Sequence, residues 1–507
     1  MKPSSACSLK KAMNKLRIAS LPLKTNYKLM KITFLKLGIT ASVWLLSTAV
    51  VSAQQLTAQP GIGLNDLSSF KDPGKTWFIS SGVTADLNTA NSLNTTKGSG
   101  VLVNIPTKNN HGSDLLTNAE HGDMLLELDY LLGKGANSGV YLQGIYEIQL
   151  EDSWGVKIPL SSNNGGIYER WDDSKPEGQK GYGGYAPRQN AAKAPGLWQH
   201  LKVAFQAPRF DASGNKISNA RILAVDLNGV ILHDNVELFG PTRGANSKEK
   251  ALGSLRLQGD HGAVAFRNIK IAPLPPEMLN GGQRDGNNAD PIYIDAPSNT
   301  MIRSFVDVAG NQRVVHAISV GSPQQVHYSY DLDNGMLLQA WRGEFIDATP
   351  MWHERGNGSS KARGSITPFT KKPVPAITKL AASQAAWLAD TTGTGFRTKG
   401  YVMDKEDRPE FKYHIYGALV TDAIKALENG QGLSRVISID RPVDNAYLLL
   451  ADAVDIVELS KGFYLVDDQS FYLKFENSKD KPVIREVNGR KELVVLLRDQ
   501  LNYSILF

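Results

Sequence analysis

Between Gly135 and Asp152 the sequence reads GANSGVYLQGIYEIQLED, a glycine-punctuated turn followed by strict alternation. Val140, Leu142, Tyr146, Ile148 and Leu150 fall on even positions. Tyr141, Gln143, Glu147, Gln149 and Glu151 fall on odd ones. Successive strand residues point to opposite faces of a sheet. One face is therefore apolar enough to pack on a core, while the other lines up an aromatic ring, amides and carboxylates. Such a face is either the solvated side of an ordinary sheet or a surface for a ligand with many hydroxyls, a sugar first.

The rest of the first half repeats the theme. Strands are expected at Lys75–Phe78, Gly100–Ile105, Met124–Leu131, Gly165–Tyr168, Trp198–Phe205, Gly253–Gln258 and Val264–Ile271. Arg221–Leu227 and Val230–Asp234 flank Asn228-Gly229, whose residues both tolerate positive φ and so favour a two-residue hairpin. Trp171–Pro195 reads as a long loop, and loops of that length in compact domains are often functional. Helical periods are scarce. Many short strands at this spacing predict an all-β fold, with a two-sheet sandwich over 60–274.

Charge narrows the partners. Nine of the 56 Lys and Arg lie in residues 1–53, which contain no Asp or Glu. The remaining 47 face 50 acidic residues, so from Gln54 onward the net charge is −3. The basic balance belongs to the leader, which argues against nucleic acid as a partner. Within that leader, Met30-Lys31 opens a basic segment, Leu37–Val51 is apolar, and Val51-Ser52-Ala53 fits a small-residue cleavage site. That is the order of a secretory signal peptide. The apolar run is too short to span a bilayer, and no later stretch is long enough. The expectation is export to the periplasm or beyond. Cys7, the single cysteine, also lies in the leader.

Six segments, taken in order, resemble the 3-keto-disaccharide hydrolase domain family. They are Asn137–Gly144 with Tyr146–Gln149, Gly165–Tyr168, Pro195–Trp198, Leu227–Gly229, Leu257–Gly262 and Phe266–Ile269. The resemblance spans roughly Asp72 to Leu274. One departure is Gln143, where the family has arginine. The resemblance implies a concanavalin- or laminin-G-like sandwich acting on glycosides oxidised to a ketone at C3. Removal of the acidified C2 hydrogen, loss of the glycosidic oxygen from C1 and addition of water give a net hydrolysis. Such chemistry needs a base, an acid for the leaving group and a donor to the developing oxyanion.

Under that resemblance Glu147 or His261 is the base, and Arg267 or Tyr141 the oxyanion donor. Asp152 orients His261 or binds a divalent cation, the one cofactor left open. Gln143, Gln149 and Tyr168 join Tyr141 and Asp152 as substrate-binding residues. Each residue also has a structural alternative. Glu147 can pair with a cation on the next strand, His261 can be a capped turn residue, Arg267 can tie two strands, and Asp152 can form an Asx turn. The partner is an oxidised disaccharide or glycoside, and the oligomeric state is open. A carbohydrate-binding lectin-like protein is the alternative from another class, since fold does not fix function. A glycosidase with two carboxylates is a third reading.

Residues 275–298 are rich in Pro, Gly and Asn and read as a linker. A second β-rich domain is expected over 299–507. Its Trp341–Asp347 segment, with Met351-Trp352-His353-Glu354 beyond it, resembles a module of secreted bacterial proteins. Lys371–Ala385 reads as a basic loop running into a short helix.

Overall fold

The computed structural model describes residues 61–507, apart from 246–247, 276–277, 279–289, 309–311, 354–357 and 477–480. The leader 1–53, most of the linker and Glu354 lie outside the described residues.

In the first half the strands are β1 (Phe70–Lys71), β2 (Trp77–Ala85), β3 (Leu93–Asn104), β4 (Leu115–His121), β5 (Met124–Leu132), β6 (Asn137–Leu142) and β7 (Tyr146–Glu151). They continue with β8 (Arg170–Trp171), β9 (Gly181–Tyr182), β10 (Gln199–Gln206), β11 (Arg209–Phe210), β12 (Lys216–Ser218), β13 (Ala220–Leu227), β14 (Val230–Leu238), β15 (Gly253–Leu257) and β16 (Val264–Ala272). Two antiparallel sheets form the sandwich. One runs β1-β4-β15-β6-β7, the other β14-β13-β10-β5-β16-β3-β2. The predicted Asn-Gly turn is present: Asn228 and Gly229 have φ of 54° and 83° and join β13 to β14. The long loop is not featureless, since β8 and β9 pair inside it.

The sandwich interior follows from the even-numbered alternation. Val140, Leu142, Tyr146, Ile148 and Leu150 pack in one core with Leu126, Leu128, Tyr130, Val203, Phe205 and Phe266 of the facing sheet. Full burial of an aliphatic or aromatic side chain of this size contributes about 1.5–3 kcal/mol. Placing all five on one face therefore fixes the register of both strands, because a one-residue slip would expose them together.

The second half is also almost entirely sheet, in six-, four- and eight-stranded antiparallel arrays. Their shared core includes Tyr328, Tyr330, Phe411, Leu448, Leu493 and Tyr503. Inside it, Arg435 Nη2 lies 2.6 Å from Asp422 Oδ2, and Tyr330 and Tyr503 complete the network. The helix expected after Lys371 is absent. Ile377–Lys379 is a strand paired with Ala446–Leu448, and Ala381–Ala385 forms turns. Arg485 Nη1 donates to the carbonyls of Ser383 and Ala385. The side chain thus holds carbonyls that a helix would direct along its own axis.

Residues Ala58–Phe507 cluster as one compact unit. Trp154 Nε1 donates to Phe507 O at 2.9 Å, Tyr472 Oη to Pro195 O at 2.9 Å, and Gln469 Nε2 to Val83 O at 2.6 Å. Arg342, of the Trp341–Asp347 segment, donates to Gly430 O and Phe507 O from a fully desolvated position that lowers its pKa to about 10. Ala194 and Leu197 pack against Leu465, Tyr472 and Leu506 in an apolar cluster shared by the two halves.

Candidate functional site

The Gly135–Asp152 stretch is not one strand but a hairpin. Gln143 and Gly144 sit at its turn with φ of 51° and 74°. Tyr141 pairs with Glu147 and Gly139 with Gln149 across it. On the other side of β6, Arg256 of β15 pairs with Tyr141. Three adjacent strands therefore carry Arg256, Tyr141 and Glu147 in one row, on the outer face of the five-stranded sheet. A second row follows. Gln258, just past β15, donates its N–H to Gly139 O at 2.9 Å, which places Gln258, Gly139 and Gln149 side by side.

Gly139 makes the arrangement possible. A Cβ there would collide with Glu147 Oε1 and stand 3.0 Å from Glu147 Cδ. The carboxyl group thus leans over the glycine, out of its own row. Below it the backbone is held at both polar groups. Thr242 Oγ1 accepts the Glu147 N–H at 3.1 Å, and the Tyr168 N–H donates to Glu147 O at 3.1 Å.

Glu147 is 2% exposed, and its Oε2 has no hydrogen-bond partner. Burial pushes its pKa up to about 8. The Tyr141 hydroxyl and the Arg256 guanidinium oppose that rise, and the Asp114 and Asp260 carboxylates add to it. The Tyr141 phenol is itself raised, by burial and then by the Glu147 charge. Arg256 is fixed from three sides. Its Cζ lies 3.5 Å from the Tyr141 ring centroid, its Nη1 donates to Gly244 O at 3.1 Å, and Asp114 Oδ2 is 3.5 Å away. Its Nε is buried without a partner, as is Oε1 of Gln258. A buried polar group left unpaired costs about 1–3 kcal/mol. Three such atoms on neighbouring registers make a buried polar cluster whose hydrogen bonding is incomplete. Tyr168, Trp171 and Arg243 flank it. Arg243 Cζ stacks 3.7 Å from the Trp171 ring centroid, and burial raises the Tyr168 phenol.

The structure brings Tyr141, Glu147, Gln149 and Tyr168 together, pairs His261 with the Asp260 carboxylate that acts on Glu147, and leaves Gln143, Arg267 and Asp152 elsewhere. Gln143 is a turn residue whose Nε2 donates to His121 O and Ala251 O, so it ties the hairpin to its neighbours. Arg267 lies on β16, on the outer face of the opposite sheet. It binds Asp129 and Asp468 and covers the Trp198 ring at 4.1 Å. Phe266, next to it, fills the core, so alternation turns Arg267 away from Glu147. Asp152 does not orient His261. Its oxygens accept the N–H groups of Gly135 and Trp154, which is the Asx-type alternative. His261 is half-exposed and hydrogen-bonds Asp260, the carboxylate that acts on Glu147. Among the described residues no group of three or more His, Cys, Asp or Glu is placed to hold a metal ion.

Arg256, Asp114 and Gln258 escaped the sequence reading. A signal existed: in Ser254-Leu255-Arg256-Leu257-Gln258 the polar residues alternate with leucine as they do in β6 and β7.

Residues 65–272 match the 3-keto-alpha-glucoside-1,2-lyase-like domain family. No curated protein is a match. Among solved structures, one candidate glycosyl hydrolase from Parabacteroides distasonis is 24% identical, with 41% of this chain and 84% of that one covered and a TM-score of 0.26. A second from the same organism is 20% identical, with 43% and 100% covered and a TM-score of 0.27.

Proposed function

We propose, on the premise that residues 65–272 are a 3-keto-alpha-glucoside-1,2-lyase-like domain, that this protein cleaves glycosides already oxidised to a ketone at C3. The observation that carries the reading is the Glu147 carboxyl group, buried with one oxygen unpaired beside two fixed donors. A C3 ketone makes the C2 hydrogen acidic enough for a carboxylate to remove. Glu147 takes that proton, and the electron pair of the C2–H bond forms the enolate, whose oxygen accepts from Tyr141 or Arg256. Collapse of the enolate restores the ketone, forms C1=C2 and breaks the C1–O bond. The leaving oxygen takes a proton from the His261–Asp260 pair. Water then adds at C1 and gives one proton back to the His261–Asp260 pair, and Glu147 returns its proton to C2. A base works best when its pKa is near the operating pH, and burial brings Glu147 into that range.

A second reading has support in the same geometry. Asp114 and Asp260 are both close enough to raise Glu147, so a second carboxylate is at hand for direct hydrolysis of an unoxidised glycoside. Incubation with 3-keto-glucosides and with their parent glycosides, following release of the aglycone, separates the two. Turnover of the oxidised series alone supports elimination. Equal turnover of both supports the two-carboxylate reading, and sugar binding without turnover supports the lectin-like one. The leader over residues 1–53 makes an exported location part of the proposal. Among the described residues no helix is long and apolar enough to cross a membrane.

A further inference from the structure

We propose that the cleft where the sandwich meets the second half is a separate saccharide-binding site. Its space is about 480 Å³, within the range of about 300–1,000 Å³ usual for small-molecule sites, which favour such junctions. One wall carries Lys134, Asp152 and Trp154, all at the rim of the β6–β7 hairpin. The other carries Gln431, Lys461 and Phe463. Neither half has the site alone.

The chemistry of the walls identifies the ligand class. Trp154 and Phe463 are partly buried members of the apolar cluster between the halves, each leaving ring surface for the C–H face of a pyranose. Trp154 is held in place by its bond to Phe507 O, and Phe463 by stacking on Tyr472 at 4.9 Å. Rings already immobilised lose little conformational entropy on binding. Around them stand two carboxylates, three amides and three ammonium groups, the donors and acceptors that hydroxyls require. Asp152 is fixed by two backbone N–H groups, and the exposed Lys134 stands on the same wall of the cleft. The alternating face beside Glu147 accounts for Tyr141, Glu147 and Gln149. It does not explain Asp152, which faces this cleft.

The site is independent of the proposed reaction at Glu147. The test titrates the full chain with laminarihexaose, maltohexaose, xylohexaose and oligogalacturonate, read by tryptophan fluorescence and saturation-transfer NMR. The neutral and acidic probes distinguish which saccharide the lysines prefer. Binding should persist in Glu147→Gln. It should weaken about tenfold or more in Phe463→Ala, which loses one stacking face. Lys461→Glu changes an exposed side chain beside Gly462 in a hairpin turn, so it tests the site without threatening the fold. Turnover of a 3-keto-glucoside should be unchanged in both cleft variants. Binding that Glu147→Gln abolishes, or that Phe463→Ala and Lys461→Glu leave intact, overturns the proposal. So does failure of every probe to bind.

Discussion

The Glu147 carboxyl group occupies the space that a side chain on Gly139 would fill. The two residues sit on neighbouring strands, one register apart, and the glycine lets the acid lie across the row toward Gln258. Gly139→Ala should therefore displace the carboxylate while leaving the hairpin intact, since the colliding atoms are the far end of a flexible side chain. A misplacement of about 1 Å can cost about 10²-fold in rate. We expect a loss of that order in kcat on a 3-keto-glucoside, with an unchanged circular dichroism spectrum. Full activity in the variant would show that the lean of Glu147 over Gly139 is unimportant.

Glu147→Gln should lower kcat by about 10²–10⁴-fold, the range for general acid–base catalysis. In the native protein, the acidic limb of the activity profile should rise through the Glu147 pKa of about 8. A profile that falls through that range would make the protonated acid the active form.

The same group sets a pH dependence of stability. Its folded pKa lies above the ordinary carboxyl value of 4.5, so between those values the folded state holds a proton that the unfolded chain has released. Stability then decreases as pH rises from 4.5 toward about 8, and the full cost is present above it. Glu147→Gln should accordingly unfold at a higher temperature than the native protein at pH 9 and at the same temperature near pH 4. Parallel melting curves at both pH values would remove burial as the cause of the raised pKa.

In the second half, Asp422→Ala should strand a buried guanidinium. Arg435 donates to both Asp422 oxygens from within the core. Breaking a buried pair on one side costs about 3–5 kcal/mol, measurable by urea denaturation. A change below about 1 kcal/mol, the value of an exposed pair, would mean that water reaches Arg435.

Proteolysis between Leu274 and Ser298 should give two fragments that stay together on a sizing column. Arg342, Trp154, Tyr472 and Gln469 bind across the halves, and the apolar cluster with Leu506 adds buried area. Separation in plain buffer would show these contacts too weak to hold the halves without the covalent connection.

Mass spectrometry of exported protein should find Gln54 at the N-terminus. An intact leader in the mature protein would reject the cleavage site after Ala53.

Much of this was legible because strand alternation is local. Tyr141, Glu147 and Gln149 share a face in the structure as their odd numbering implies, even though the stretch folds back at Gln143. The connection between β6 and β7 is three residues long, so each pair such as Tyr141 and Glu147 joins residues of equal parity. A two-residue turn would have paired odd with even. The same parity placed Val140 and Ile148 in the core.

Which strands lie beside each other is a long-range matter. Arg256 reaches Tyr141 only because β15 inserts between β4 and β6, and nothing within either segment encodes that choice. Arg267 is an arginine on a strand like Arg256, yet its strand joins the other sheet, so its charge ends against Asp468 instead of Glu147. The sequence by itself determined the all-β class, the two faces of the Gly135–Asp152 stretch and the acid on one of them, because these follow from side-chain period; the fold-back at Gln143 came only with the structure. The tertiary structure decided which cation and carboxylates surround Glu147 and how far burial raises it. It also turned Asp152 toward a cleft shared with the second half. Those outcomes depend on desolvation and on contacts between residues far apart in the chain, Arg256 and Asp260 each more than a hundred positions from Glu147.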